Sequence, residues 1–200
     1  MIVGLHPMGG DPVDFLPVLR PYGRRARLIF PYGHPSGGMY IWFDAVGDDA
    51  AASMVQPETD RIAAALAGLS AARPTVGKPI VTGFSQGAMM TFALAVTHPD
   101  ALSAAFPISG LLPTSLYPSA KLSSEPRLGK LPPVVAFHGS ADLAVPLRSA
   151  QASIAELKRA GYSAELREVA GVEHDISAAE ATAILEEIGQ AADRLATAAR

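Results

Sequence analysis

One serine, near the middle of the chain, stands between two apolar runs, and this junction constrains the fold more than any other stretch. Residues 79–84 predict a short buried strand, and residues 87–96 predict a buried helix. The junction itself is Gly83-Phe-Ser85-Gln-Gly87, a G-x-S-x-G pattern. A turn of this kind strains the serine backbone and exposes its hydroxyl, while the two glycines allow close approach of neighbouring backbone. The pattern therefore predicts Ser85 as a nucleophile.

The pattern by itself is weak evidence. In a chain with 18 glycines among 200 residues, G-x-S-x-G is expected by chance in roughly one chain in eight. The alternative is a glycine-rich strand–helix turn that carries an ordinary serine. The predicted strand before the motif and the helix after it favour the nucleophile, and the rest of the chain has to decide.

Composition excludes several classes of protein. A hydrophobic content of 49%, with 18% charged residues, is typical of a soluble, well-packed domain, and 200 residues suit one sizeable domain. The net charge of −3 and the lack of a basic run argue against nucleic acid as a partner. Without cysteine there is neither a disulfide nor a thiolate nucleophile. We see no secretory signal and no apolar run of spanning length, so we expect a cytoplasmic protein without stable membrane insertion, either a monomer or a homodimer.

Strands and helices alternate along the whole chain, which predicts an α/β fold with a mostly parallel central sheet of about six strands and helices on both faces. We expect a single domain over residues 1–200. The predicted strands are residues 2–6, 26–30, 79–84, 103–108, 133–137 and 163–169. The predicted helices are a short one near Phe15 and Leu19, a region over 44–72 broken near Pro57, and residues 87–96, 146–160 and a C-terminal helix that begins with a capping box of Ser177 and Glu180. Residues 32–42 are predicted as a loop, and 111–131 as an excursion that either covers the site or is a solvated loop.

A serine nucleophile needs an imidazole base, and the base needs a carboxylate that fixes its tautomer. In a parallel sheet these groups belong just after the carboxyl ends of strands. Asp142 and His174 both occupy such positions, although aspartate is also a common turn residue. Of the five histidines, His174 is the one that follows the last predicted strand. We therefore predict Ser85, Asp142 and His174 as the catalytic residues.

The negative charge that develops on the substrate needs two backbone N–H donors. Gln86, which follows the nucleophile, is expected to supply one. The loop after the first strand, His6-Pro-Met-Gly-Gly10, is expected to supply the other. Pro7 has no N–H, so Met8 is the predicted donor, and a merely flexible glycine turn is the alternative.

Taken together, these motifs resemble the phospholipase/carboxylesterase family of α/β-hydrolases, which includes bacterial carboxylesterases and acyl-protein thioesterases. The resemblance covers nearly the whole chain. It is carried by Leu-His-Pro-Met-Gly-Gly-Asp near the start, Trp-Phe-Asp at 42–44, Gly-Phe-Ser-Gln-Gly at 83–87, His-Gly-Ser-Ala-Asp at 138–142 with Val-Pro-Leu at 145–147, and His174. Two positions depart from the family pattern, because Pro7 and Glu173 stand where the family usually has glycine.

The resemblance implies the same triad, the same two oxyanion donors and no cofactor. It predicts a serine carboxylesterase that hydrolyses short- to medium-chain esters of small molecules, with thioesters as a further candidate substrate class. The alternatives are a catalytically silent hydrolase-fold binding protein and a peptidase or amidase with the same triad. Trp42, Gly9 and Leu111 are expected to border the substrate pocket, with a core position as the alternative for Trp42.

Overall fold

Six parallel strands form the central sheet of the computed structural model, which describes residues 1–45, 50, 52–118 and 131–198. The six strands of this sheet are β1 Ile2–Leu5, β2 Leu28–Ile29, β5 Ile80–Phe84, β6 Ala104–Ile108, β7 Val134–Gly139 and β8 Ala164–Val169, and a separate two-stranded sheet contains β3 His34–Ser36 and β4 Met39–Ile41. The helices are α1 Leu16–Leu19, α2 Ala52–Ala72, α3 Gln86–Thr97, α4 Leu147–Arg159 and α5 Ala178–Ala198. The sheet order is β2-β1-β5-β6-β7-β8, and every pairing in it is parallel. The predicted fold class is confirmed.

Two apolar clusters cover the two faces of this sheet. Because neighbouring side chains of a strand point to opposite faces, Val81 belongs to the larger cluster and Ile80 to the smaller one. The larger cluster contains buried side chains of α2, α3 and α4, such as Phe92, and the smaller one contains those of α1 and α5, such as Ile184. A fully buried side chain of this size contributes roughly 1.5–3 kcal/mol to stability. The continuous apolar runs of the sequence therefore correspond to strands that are buried on both sides.

The strand order reverses direction between β1 and β5. The chain passes from β1 outward to β2, and then returns to place β5 on the other side of β1. In open parallel sheets a crevice forms at such a switch point, at the carboxyl ends of the strands. The pairing of β1 with β5 ends at Leu5 opposite Gly83, so the loop after β1 and the G-x-S-x-G turn leave the sheet side by side.

The segment between β2 and α2 differs from the prediction. The predicted strand 26–30 is reduced to the two residues of β2, and residues 32–42, predicted as a loop, contain the antiparallel hairpin β3–β4. An isolated bridge between Gly10 and Tyr40 attaches this hairpin to the loop after β1. Sequence patterning missed the hairpin because β3 is wholly exposed and therefore lacks an apolar period.

The predicted break near Pro57 is wrong, because α2 runs through this residue without interruption. The start of the predicted region 44–72 cannot be compared, since residues 46–49 and 51 lie outside the described part of the chain. A proline inside a helix removes one backbone hydrogen bond and costs on the order of 3 kcal/mol. Burial of the apolar face of α2, including Ile62, opposes that cost.

At the start of α5 only half of the predicted capping box forms. The Glu180 N–H donates to Ser177 Oγ at 3.2 Å, but neither carboxylate oxygen of Glu180 has a partner among the described residues. Glu180 is only 1% exposed. Burial raises the pKa of Glu180 to about 7, and the nearby carboxylates of Asp175 and Asp142 act in the same direction.

Glu180→Gln is expected to remove a pH-dependent loss of stability. Because the folded-state pKa of Glu180 lies above the unfolded one, the contribution of Glu180 to stability is greatest below pH 4.5 and declines as the pH rises towards about 7. A shift of this size corresponds to a decline on the order of 3 kcal/mol. Urea unfolding between pH 5 and 8 should therefore show Glu180→Gln increasingly more stable than the parent as the pH rises. Glu186→Gln, an exposed change on the same helix, is the control, and parallel curves for parent and Glu180→Gln would contradict the prediction.

Candidate active site

Ser85 occupies a strained turn between β5 and α3. Its backbone has φ 56° and ψ −117°, in the region that side chains other than glycine rarely adopt, which costs on the order of 1–3 kcal/mol. The flanking glycines are sterically required. A Cβ on Gly83 would collide with the Gly87 carbonyl, and one on Gly87 would collide with the Leu5 carbonyl. The G-x-S-x-G spacing thus reflects close packing of this turn against β1.

The three predicted catalytic side chains contact one another. His174 Nε2 lies 2.9 Å from Ser85 Oγ, and His174 Nδ1 lies 2.8 Å from Asp142 Oδ2. These partners assign the proton to Nδ1, which donates to the carboxylate, and leave Nε2 to accept from the serine hydroxyl. An imidazole held in this way can take the proton of the hydroxyl and carry the resulting charge beside a carboxylate.

The Asp142 carboxylate is buried and held by its own loop. Its side chain has no exposed surface, and Oδ1 accepts the N–H groups of Ala144 at 2.9 Å and Val145 at 2.8 Å. His138, also completely buried, lies with Nε2 2.8 Å from the Val145 carbonyl oxygen and 3.4 Å from Asp142 Oδ2. No catalytic role was assigned to His138 from the sequence, and its position next to Asp142 was not foreseen.

The remaining histidines have other partners. His34 Nε2 lies 2.6 Å from Glu58, and His98 Nε2 lies 3.2 Å from Asp60. His6 is fully buried beside Pro7 and Gly33, and this burial lowers the pKa of His6.

Phe84 is a residue that sequence reasoning missed. Its ring lies 4.9 Å from the His174 imidazole, between centroids, at an angle of 33°. It precedes Ser85 in the G-x-S-x-G turn, so the motif places it near the base, but nothing in the pattern specified an aromatic side chain. Glu173, which departs from the family pattern, is exposed.

The two predicted donor amides lie in favourable surroundings. Gln86 is the first residue of α3, where N–H groups have no acceptor within the helix. In the loop after β1, Gly9 N–H donates to the Tyr40 carbonyl at 2.8 Å and Gly10 N–H to the Pro7 carbonyl at 3.1 Å. Pro7 has no N–H, and the Met8 N–H has no backbone acceptor among the described residues. The loop is thus fixed by specific bonds.

The residues expected to border a substrate pocket occupy different environments. Trp42 has no exposed surface and Leu111 is only 4% exposed, so both side chains belong to the core in this structure. Gly9 is half-buried and has φ 75°, and a Cβ at this position would lie 3.4 Å from Met39 Sδ. Met8 itself is 38% exposed. Of the predicted excursion 111–131, residues 119–130 lie outside the described part of the chain.

The parallel sheet, the switch point and the strained serine turn define an α/β-hydrolase. The chain belongs to the phospholipase/carboxylesterase family, whose model matches residues 24–191. Ser85, Asp142 and His174 fall inside this match, whereas Met8 precedes it.

Curated relatives support the same class. The chain is 32% identical over 97 residues to the carboxylesterase SOBER1 of Arabidopsis thaliana, and 35% identical over 97 residues to a probable carboxylesterase of Oryza sativa subsp. japonica. Each alignment covers 48% of this chain, but only 41% and 35% of the relatives' own lengths.

Solved structures match over a longer stretch. The crystal structure of SOBER1 superposes with a TM-score of 0.81 over 95% of this chain and 97% of that one, at 24% identity, which shows the fold. Esterase PE8 superposes with a TM-score of 0.80, over 94% and 91% of the two chains, at 26% identity. Among the described helices, none combines the length and the apolar character that a membrane crossing requires.

Proposed function

We propose that this protein is a serine carboxylesterase that works through an acyl-enzyme intermediate. The observation that carries the proposal is the continuous contact from Ser85 Oγ through the His174 imidazole to the Asp142 carboxylate. Membership of a carboxylesterase family supports the same reaction class.

In the first half of the reaction Ser85 Oγ forms a bond to the acyl carbon as His174 Nε2 takes the hydroxyl proton. The electron pair of the carbonyl double bond moves to its oxygen, and the N–H groups of Met8 and Gln86 stabilise this oxyanion. When the intermediate collapses, the bond to the leaving alcohol breaks and His174 returns the proton to the leaving oxygen. Asp142 stays ionised throughout and stabilises the imidazolium.

The second half repeats these steps with water. His174 Nε2 takes a proton from a water molecule, and the water oxygen attacks the acyl carbon of the Ser85 ester. Collapse of the second oxyanion breaks the bond to Ser85 Oγ, which recovers its proton from His174. The carboxylic acid leaves and the enzyme is restored.

A catalytically silent binding protein would have no use for the strain at Ser85. A fluorophosphonate probe tests this alternative directly, because it labels an activated serine covalently. Labelling of the parent protein that is absent in Ser85→Ala would support the esterase, and an unlabelled parent would support the silent protein.

Thioesters and amides could be cleaved by the same groups, because the leaving group is selected by pocket shape. One solved structure with the same fold is an acyl-protein thioesterase of Zea mays, at 24% identity and a TM-score of 0.75. A matched series of one acyl group as oxygen ester, thioester and anilide ranks the three activities by kcat/KM. We expect the oxygen ester to be the best substrate.

Short and medium acyl chains are expected to be preferred. A long-chain tunnel needs a continuous apolar wall, and each methylene it buries is worth about 0.8 kcal/mol, or roughly fourfold in kcat/KM. Leu111, Leu112 and Leu116, the large aliphatic residues at the start of the excursion, are all buried in the core. With p-nitrophenyl esters from acetate to palmitate, kcat/KM should level off or fall beyond medium length. A steady rise to palmitate, measured below its aggregation limit, would contradict this preference.

A further inference from the structure

The two proposed oxyanion donors come from separate parts of the chain, and something has to hold them at the right spacing. Met8 follows β1 and Gln86 follows β5, but the pairing of these strands ends at Leu5 and Gly83. The sheet itself therefore does not reach the donors. Because an oxyanion requires both N–H groups at about 2.7–3.1 Å, small errors in their spacing are costly.

The side chain of Gln86 ties the serine turn to residues 42–45. It is only 3% exposed, and its Oε1 accepts the Trp42 N–H at 2.8 Å. Its Nε2 donates to the Phe43 carbonyl at 2.8 Å and lies 3.4 Å from the Ala45 carbonyl. These partners fix the orientation of the amide, because the flipped group would oppose donor to donor and acceptor to acceptor.

The side chain of Trp42 continues this connection to the loop after β1. Its indole N–H donates to the His6 carbonyl at 2.8 Å, and its ring stacks on the His6 imidazole at 4.6 Å between centroids. The His6 ring is itself held on both sides, because Nδ1 donates to the Pro7 carbonyl at 2.8 Å and Nε2 accepts the Gly33 N–H at 3.1 Å. This arrangement requires a neutral imidazole, which agrees with the lowered pKa of His6.

The segment 40–42 therefore holds the backbone on both sides of Met8. The His6 carbonyl, two residues before it, is bonded by the Trp42 indole, and the Gly9 N–H, just after it, is bonded by the Tyr40 carbonyl. The same segment is held against the serine turn by the Gln86 side chain. Two hydrogen bonds that both involve Trp42 thus connect Gln86 with the loop that carries Met8.

We propose that Gln86, through its side-chain amide, and Trp42, through its buried indole, are positioning residues that set the spacing of the two oxyanion-hole donors. The proposal rests on the esterase function proposed above. It assigns Trp42 a role that does not require contact with the substrate.

Trp42→Phe and Gln86→Met test the proposal. The first removes the indole N–H but keeps an aromatic ring for the His6 stack, and the second keeps the length of the side chain without its polar atoms. Tyr162→Phe is the matched control, because the Tyr162 hydroxyl also donates to a buried backbone carbonyl, that of Ala95 at 3.0 Å, on another part of the core.

Both test variants should lower kcat for a short ester by about 10- to 100-fold while KM changes less than threefold, since removal of a whole donor costs 10²–10³. A trifluoromethyl ketone, which forms a serine-bound oxyanion, should lose affinity by the same factor as kcat/KM. Tyr162→Phe should unfold at a lower temperature, yet keep kcat/KM within twofold of the parent. If Trp42→Phe and Gln86→Met behaved like this control, the proposal would be wrong.

Gln86→Glu provides a rescue experiment. It also tests the positioning proposal independently if Trp42→Phe and Gln86→Met fail to fold. Its carboxyl can donate to the Phe43 carbonyl only when protonated, so the ratio of its kcat/KM to that of the parent should rise as the pH falls. A ratio independent of pH would overturn the proposal. Failure of the esterase function itself would appear differently, either as a parent protein that turns over no ester or as activity that survives in Ser85→Ala.

Discussion

Ser85→Ala should lower kcat for ester hydrolysis by on the order of a thousandfold or more while the fold stays intact. The substitution removes the atom that forms the acyl-enzyme, and the half-buried hydroxyl contributes little packing. The measurement is kcat for a short p-nitrophenyl ester, with the thermal unfolding midpoint as the test of folding. Mass spectrometry of the parent, quenched during turnover, should show an acyl group on Ser85.

Ser109→Ala is a matched control for this substitution. Ser109, just after β6, is the other non-glycine residue with positive φ among the described residues, at 49°, and its buried hydroxyl has no partner there. Ser109 forms no hydrogen bond with Asp142 or His174. Ser109→Ala should therefore keep activity within a few-fold of the parent. If Ser85→Ala retained more than a tenth of the parent activity, the serine esterase proposal would be abandoned.

His174→Ala is expected to be as damaging as Ser85→Ala, and the double variant hardly worse than either. Without the imidazole the serine hydroxyl has no base at 2.9 Å, and without the serine the imidazole has no proton to transfer. Because the two groups act as one unit, their effects on kcat do not add. Single-site and double variants should therefore all retain the same residual rate within about threefold.

His34→Ala is the control, because this half-exposed imidazole lies against Glu58 and away from the serine. Multiplicative losses in the double variant would indicate two independent contributions. A full loss of activity in a well-folded His6→Ala, His34→Ala or His138→Ala variant would reassign the base.

The fold class could be predicted because strands buried on both faces leave continuous apolar runs in the sequence. The strand predicted at 79–84 is Ile80–Phe84 in the structure, and the one predicted at 133–137 is Val134–Gly139. The contacts among Ser85, Asp142 and His174 were also expected from their positions after strand ends. Local pattern was sufficient here, since a parallel sheet brings the carboxyl ends of its strands to one edge.

Local sequence pattern did not predict the structure where a strand is exposed, or where a residue such as proline disfavours the element in which it lies. The hairpin β3–β4 has no apolar alternation on β3, and Pro57 signalled a break in a helix that packing keeps continuous. Ser177 and Glu180 fit a capping box, but the reciprocal bond to the Glu180 carboxylate is missing. For α2 the deciding interactions are packing contacts with other elements, and a local pattern contains no information about them.

By itself, the sequence determined the strained serine turn, because Ser85 and its flanking glycines form one short motif between an apolar strand and an apolar helix. Only the tertiary structure decided what Trp42 and Gln86 do. Their side chains bond to carbonyl and N–H groups 36 and 44 residues away along the chain, and such groups exist at every residue. The type of a residue does not show which backbone group its side chain will bond. The hydrogen bonds that connect the two proposed donor residues therefore become visible only once the chain is folded.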